Sequence, residues 1–184
     1  MQNLKRIIFI SCFLLSNYMI SGACDDYPYS HGDIDILTFE ISGGFVNYFK
    51  NTSVENYGNC DSLEYVIEDG CWGQFYEGLN TYTLNCTNCL CPPIISSPTS
   101  KKGNHAGSSL LSIDVDGDND KDLILGDVSY NNLNLLINGG DNQNSHIISV
   151  DTVFPQNITN TIPADIHIFP SAFYLDLTND GTKD

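Results

Sequence analysis

Nine residues place the hardest constraint on how this chain can fold. Residues 114–122 read Asp-Val-Asp-Gly-Asp-Asn-Asp-Lys-Asp, with a carboxylate at every odd position. Carboxylates at that density repel one another unless a cation sits among them. Calcium takes about six to eight oxygen ligands, and alternate spacing aims successive oxygens at one centre as a loop winds around it. Position 7 of such a loop contributes its backbone carbonyl, which leaves the Asp120 side chain to spare. Asp122, at position 9, closes the shell with both oxygens. Position 6 requires a left-handed backbone, which Asn119 tolerates better than most non-glycine residues.

A second stretch falls in the same frame. Residues 176–184 carry acids at positions 1, 5 and 9 (Asp176, Asp180 and Asp184), Thr178 at position 3 and Gly181 at position 6. It has fewer carboxylates, so weaker calcium binding is expected there. Counting back from Asp35 gives a third, degenerate frame. Tyr27, Tyr29 and His31 stand at its positions 1, 3 and 5, and Gly32 at position 6. It lacks ligands, so no calcium is expected, and His31 reads as a turn residue. The alternative, that these are merely polar surface turns, does not explain the shared register.

Both complete frames follow short apolar runs, Ser109–Ile113 and Ala172–Leu175. Asp35–Asn51 and Asp122–Asn138 also align without a gap, Val46 on Leu133, Tyr48 on Leu135 and Asn51 on Asn138. Each copy reads as apolar strand, turn (Ser42-Gly43-Gly44 or Ser129-Tyr130-Asn131), strand: a β-hairpin pattern. Ser145–Val150 and Asp165–Phe169 alternate in part, and Ser96–Gly107 is a polar loop. No segment holds a helical period for three turns, so the fold reads as all-β.

Residues 1–23 read as a signal peptide, with Lys5 and Arg6 before the apolar run Ile7–Leu15 and a small-residue cleavage site at Ser21-Gly22-Ala23. Ser16 and Asn17 interrupt that run short of the roughly 20 residues a membrane span needs. Acylation of Cys24 is the weaker alternative, because Ser21 stands where lipoprotein signals carry a large aliphatic residue. Cleavage takes the net charge from −16 to −18, since Lys5 and Arg6 leave and no acid does. Such acidity disfavours nucleic-acid binding. Cleavage also leaves six cysteines, Cys24, Cys60, Cys71, Cys86, Cys89 and Cys91. In an oxidising compartment that even number reads as disulfides, with the pairing open. Cys86-x-x-Cys89-x-Cys91 lacks the second pair or histidines that a zinc site needs.

The acidic loops resemble the FG-GAP/VCBS repeat family, found in integrin-α-like β-propellers and many secreted bacterial proteins. The residues carrying the likeness are Asp114–Asp127, Asp176–Asp184 and the remnant His31–Leu37. The resemblance implies a β-propeller of four-stranded blades, with calcium held between the first two strands of a blade. Carried over by position, the ligands are Asp114, Asp116, Asp118, Asp120 (backbone) and Asp122, then Asp176, Thr178, Asp180, Thr182 (backbone) and Asp184. The expected organisation is a signal peptide at 1–23, a degenerate first repeat at 24–55, a cysteine-rich insertion at 56–107, a second repeat with its calcium loop at 108–170, and a truncated third repeat at 171–184. Blades of about 60 residues repeated four to eight times need more chain than this, so a fragment of a longer protein is expected. A partial propeller leaves open sheet edges through which it can self-associate.

An EF-hand is the main rival, but it needs an acid at position 12, where Leu125 stands in an apolar run. No histidine among His31, His105, His146 and His167 lies in a recognised spacing with Ser or Cys, so no enzyme is expected. Trp72, with Phe75 and Tyr76, reads as a small core beside a disulfide rather than a sugar-stacking face. Asn51, Asn85 and Asn157 lie in N-glycosylation sequons. The function expected is that of a secreted or cell-surface calcium-binding repeat protein serving adhesion, ligand binding or scaffolding, its partner an extracellular protein or glycan. The alternative is part of a secreted carbohydrate-active enzyme.

Overall fold

The computed structural model describes residues 34–41, 43–59, 62–91, 108–141, 143–156 and 159–183. The signal segment, Cys24, the degenerate frame from Tyr27 to Gly32, Cys60, the loop 96–107, Asn157 and Asp184 lie outside the described residues.

Apolar runs separated by turn residues form antiparallel strands throughout. β1 (Ile36–Phe39), β2 (Val46–Asn51) and β3 (Tyr65–Trp72) make a three-stranded sheet in that order. One short helix, α1 (Ser53–Tyr57), joins β2 to β3. β4 (Phe75–Glu77) and β5 (Tyr82–Leu84) form a two-stranded hairpin. β6 (Ser109–Ile113), β7 (Asp122–Gly126), β8 (Leu133–Asn138) and β9 (Ile147–Phe154) form a four-stranded meander. The fold of the described residues is therefore all-β, in open sheets with free edges.

The two hairpins that align in sequence also pair alike. Ile36 faces Phe49, Leu37 faces Tyr48 and Thr38 faces Asn47. Leu123 faces Leu136, Ile124 faces Leu135 and Leu125 faces Asn134. Each pair maps onto its counterpart by the shift of 87 residues that carries Asp35 to Asp122. The stretch read as a cysteine-rich insertion supplies the third strand of the first sheet, β3, as well as the β4–β5 hairpin.

β7 is the most enclosed strand, buried along its whole length, because it is central in its sheet and covered on both faces. The core joins Leu37 and Val46 of the first sheet to Leu123, Leu125, Leu136 and Ile147 of the second, with Phe75 from the hairpin. Gly73 sits at the junction. Its N–H donates to Ser145 Oγ (2.7 Å) and its carbonyl accepts from Ile147 N (2.8 Å). Its φ is 78°, and a Cβ there would lie 2.9 Å from the Ile147 side chain, so only glycine fits this approach.

Cys71 pairs with Cys89 and Cys86 with Cys91, which removes all three cysteines of the cluster 86–91 from any zinc reading and ties the cluster to β3. Trp72 packs against the core beside Cys71, and Tyr76 meets Phe45 edge-on at 5.1 Å. Disulfides of this kind belong to oxidising, extracellular surroundings. No described helix is long and apolar enough to cross a membrane.

Two expected strands do not form. Residues 165–169 and 172–175 carry no strand, although both are rich in apolar side chains. A strand needs a neighbouring ladder to satisfy its backbone. This segment is instead held by isolated bonds, Ile166 N to Asn131 O (3.0 Å) and Ser109 Oγ to Pro170 O (2.8 Å). Phe173 and Leu175 are left exposed.

Candidate metal centre

The loop between β6 and β7 winds back on itself because its own carboxylates cap its backbone. Asp114 Oδ1 accepts from Gly117 N (2.7 Å) and its Oδ2 from Asn119 N (3.1 Å). Asp116 accepts from Asp118 N (3.3 Å), and Asp118 from Asp120 N (3.0 Å). These are Asx turns in series, favoured by short acidic side chains. Gly117 and Asn119 take positive φ, 85° and 78°. The second loop repeats this at the same positions 4 and 6 with the residues exchanged, Asn179 at 58° and Gly181 at 88°.

Asp122 enters the site from β7. It is fully buried; its Oδ2 accepts from Val115 N and its Oδ1 from Asn138 N, both at 2.8 Å. Asp35 has the matching place in the first sheet, where Oδ1 accepts from Asn51 N (2.9 Å) and Oδ2 from the Tyr48 hydroxyl (2.8 Å). Sequence alignment paired Asn51 with Asn138 without giving either a role. In the structure each also turns its amide oxygen onto the chain that follows. Asn138 accepts from Gly140 N and His146 N, and Asn51 from Ser53 N and Glu64 N. Asn51 is thereby 1% exposed, so in the folded chain its sequon is not an accessible glycan acceptor.

The fold brings one carboxylate oxygen each of Asp114, Asp116 and Asp122 within 4.8 Å of one another, a group able to hold a metal ion. Asp118 lies outside this trio and Asp120 stands beside it. Asp120 is 4% exposed, and its Oδ1 accepts no hydrogen bond. A buried carboxylate oxygen without a donor is costly unless a proton or a cation meets it. Burial first, then the hydrogen bond and charge of Asp118, then the charges of Asp122 and Asp116, push the Asp120 carboxyl up to about 7. The Asp122 carboxyl is also raised, chiefly by burial, against the lowering effect of Val115 N and Asn138 N.

The sign of the pH dependence follows from those shifts. A raised folded-state value means that Asp120 contributes stability while protonated, below about pH 4, and that this is lost as pH rises through about 7. A cation held by the neighbouring acids competes with that proton through its charge, whether or not it touches the Asp120 side chain, so affinity moves the opposite way. Calcium affinity is expected to rise roughly 30-fold between pH 5.5 and 7.5, and Asp120→Asn to flatten the rise. Calorimetric titration at the two pH values checks this; equal affinities in the parent protein would refute it.

The second loop is built differently. Asp176 accepts from Asp180 N (3.1 Å) and Gly181 N (2.8 Å), and Asp180 from Thr182 N (2.8 Å). All of these residues are exposed, and their carboxylates do not gather into a metal-holding group among the described residues. The Asp180 carboxyl is lowered, chiefly by the Thr182 N–H.

Sequence reasoning missed a buried polar cluster on the other side of the meander. Tyr82 donates to Glu77 Oε1 (3.2 Å), as does Ser108 Oγ (2.9 Å), and Asn134 Nδ2 donates to the Tyr82 hydroxyl (2.7 Å). These contacts span up to 52 residues, beyond the reach of any local pattern. Comparison of the chain with protein-family models, curated proteins and solved structures finds no match in any of the three.

Proposed function

We propose that the chain is a calcium-binding repeat protein of the FG-GAP/VCBS type, exported from the cell and serving adhesion, ligand binding or surface scaffolding. The observation that carries this reading is the gathering of Asp114, Asp116 and Asp122 next to the unpartnered oxygen of buried Asp120. An all-oxygen, carboxylate-rich set on a flexible loop suits a hard cation, and its number of oxygens suits calcium better than magnesium. The identical register of the two hairpins, and the matching bonds of Asp35 and Asp122 to Asn51 and Asn138, support the repeat. In this reading the two larger sheets are blades, and Asp176–Asp184 is a second, weaker calcium loop. The disulfides accord with export. The reading assigns no catalytic residue.

Titration with calcium, magnesium and zinc, followed by calorimetry in excess chelator, tests the proposal. The expected result is one tighter calcium site lost in Asp116→Asn and one weaker site lost in Asp176→Asn. A melting temperature indifferent to calcium and chelator would sink it.

A further inference from the structure

Asp114 and Asp116 stand on the acidic loop, whereas Asp122 opens β7 and ties the loop to the sheet. Two N–H donors set the aim of the Asp122 carboxylate. Val115 belongs to the loop itself, so the anchor outside it is the N–H of Asn138, at the end of β8. The β8–β9 ladder does not hold that end by itself. Ile137 faces Ser149 but Asn138 faces Ile147, a slip in register that disrupts the pairing. The Asn138 side chain supplies what the ladder lacks. Its Oδ1 accepts from Gly140 N (3.2 Å) and His146 N (2.7 Å), which closes the turn between β8 and β9. The residue is 2% exposed, and its two donors occupy both lone pairs of the amide oxygen, so none is left for a cation.

The first sheet repeats the device without the metal frame. Asp35 Oδ1 accepts from the N–H of Asn51, at the same separation of 16 residues, and Asn51 Oδ1 accepts from Ser53 N (3.1 Å) and Glu64 N (3.3 Å). Tyr27, Tyr29 and His31 stand there in place of the acids. We propose that Asn138 is a positioning residue of the metal centre: its side chain fixes where its own N–H stands, and that N–H holds the Asp122 carboxylate in the orientation a cation needs. The proposal rests on the calcium reading of the loop and extends it to a residue outside the nine-position frame. Groups that orient a ligand without touching the metal change metal affinity by about 10- to 100-fold.

The test titrates the full chain with calcium chloride, at a temperature at which circular dichroism shows each variant folded. Asn138→Ala should weaken the tighter site by about tenfold or more. Asn138→Asp, which keeps an oxygen for both donors, should recover most of that loss. Asn51→Ala should lower the melting temperature in chelator as Asn138→Ala does, and yet leave calcium affinity unchanged. That contrast separates positioning from stability. Should Asn138→Ala fail to fold, a measurement on the parent chain decides. The Asn138 amide resonance should move on saturation with calcium, because Asp122 then shares its oxygens with the cation, and the Asn51 amide resonance should stay. Asn138→Ala that binds as the parent does, no recovery in Asn138→Asp, Asn51→Ala that weakens binding equally, or an Asn138 amide that calcium does not move would each overturn the proposal and leave the calcium reading standing. A parent chain that binds no calcium would sink both.

Discussion

Asp122→Ala is expected to lower stability by about 3 kcal/mol in the metal-free protein and to remove stabilisation by calcium as well. The first effect comes from the backbone. Asp122 is fully buried and its two oxygens hold Val115 N and Asn138 N. Hydrogen bonds to a charged acceptor contribute about 1.5–3 kcal/mol each, and relief of repulsion among the neighbouring acids offsets part of their loss. For a chain of this size the melting temperature should fall by roughly 10 °C in chelator. Two comparisons separate the structural role from the metal role. Asp116 is exposed, so Asp116→Asn should change stability in chelator by no more than about 0.5 kcal/mol and yet reduce the calcium shift. Asp35 makes the same kind of bonds without a filled acidic frame, so Asp35→Ala should destabilise and leave the calcium shift intact. A calcium shift that persists in Asp122→Ala would remove this residue from the site. Equal losses in chelator for Asp122→Ala and Asp116→Asn would remove its structural role.

The hairpins and the first acidic loop were legible in the sequence because both are local. An apolar run, a turn and a second run define a hairpin within about 17 residues, and alternate carboxylates define a ligand frame within nine. The left-handed backbone at position 119 followed from the asparagine that occupies it, whereas that at Gly117 emerged only in the structure. What stayed hidden depends on partners distant in the chain. The disulfide pairing is a matter of combinations that spacing does not decide. The buried cluster of Glu77, Tyr82, Ser108 and Asn134 has no period, since its members come from the hairpin, the start of β6 and β8. The runs 165–169 and 172–175 show the opposite failure: apolar residues announced strands, but no neighbouring ladder receives them. In the second loop Asp176 accepts from Asp180 N and Gly181 N, so its turns form as well.

Phe75→Ala tests where the hairpin belongs. Phe75 lies between Cys71 and Cys86, in the stretch that reads as an insertion, and an appendage would unfold without disturbing the sheets. Its ring is instead fully buried in one core with Leu37 and Val46 from the first sheet and Leu123, Leu125, Leu136 and Ile147 from the second. Replacing a buried phenylalanine by alanine costs about 3–5 kcal/mol, from lost transfer energy and from the cavity left behind. That is a large share of the roughly 5–15 kcal/mol that holds a domain folded. Because the cavity would touch both sheets, amide exchange should accelerate together in β1–β2 and β7–β8, and calorimetry should show one transition at lower temperature. Phe173→Ala is the matched control, since that ring is 72% exposed, and it should change stability by no more than about 0.5 kcal/mol. A separate low-temperature transition confined to β4–β5, with both sheets melting as before, would make the hairpin an appendage and divide the core in two.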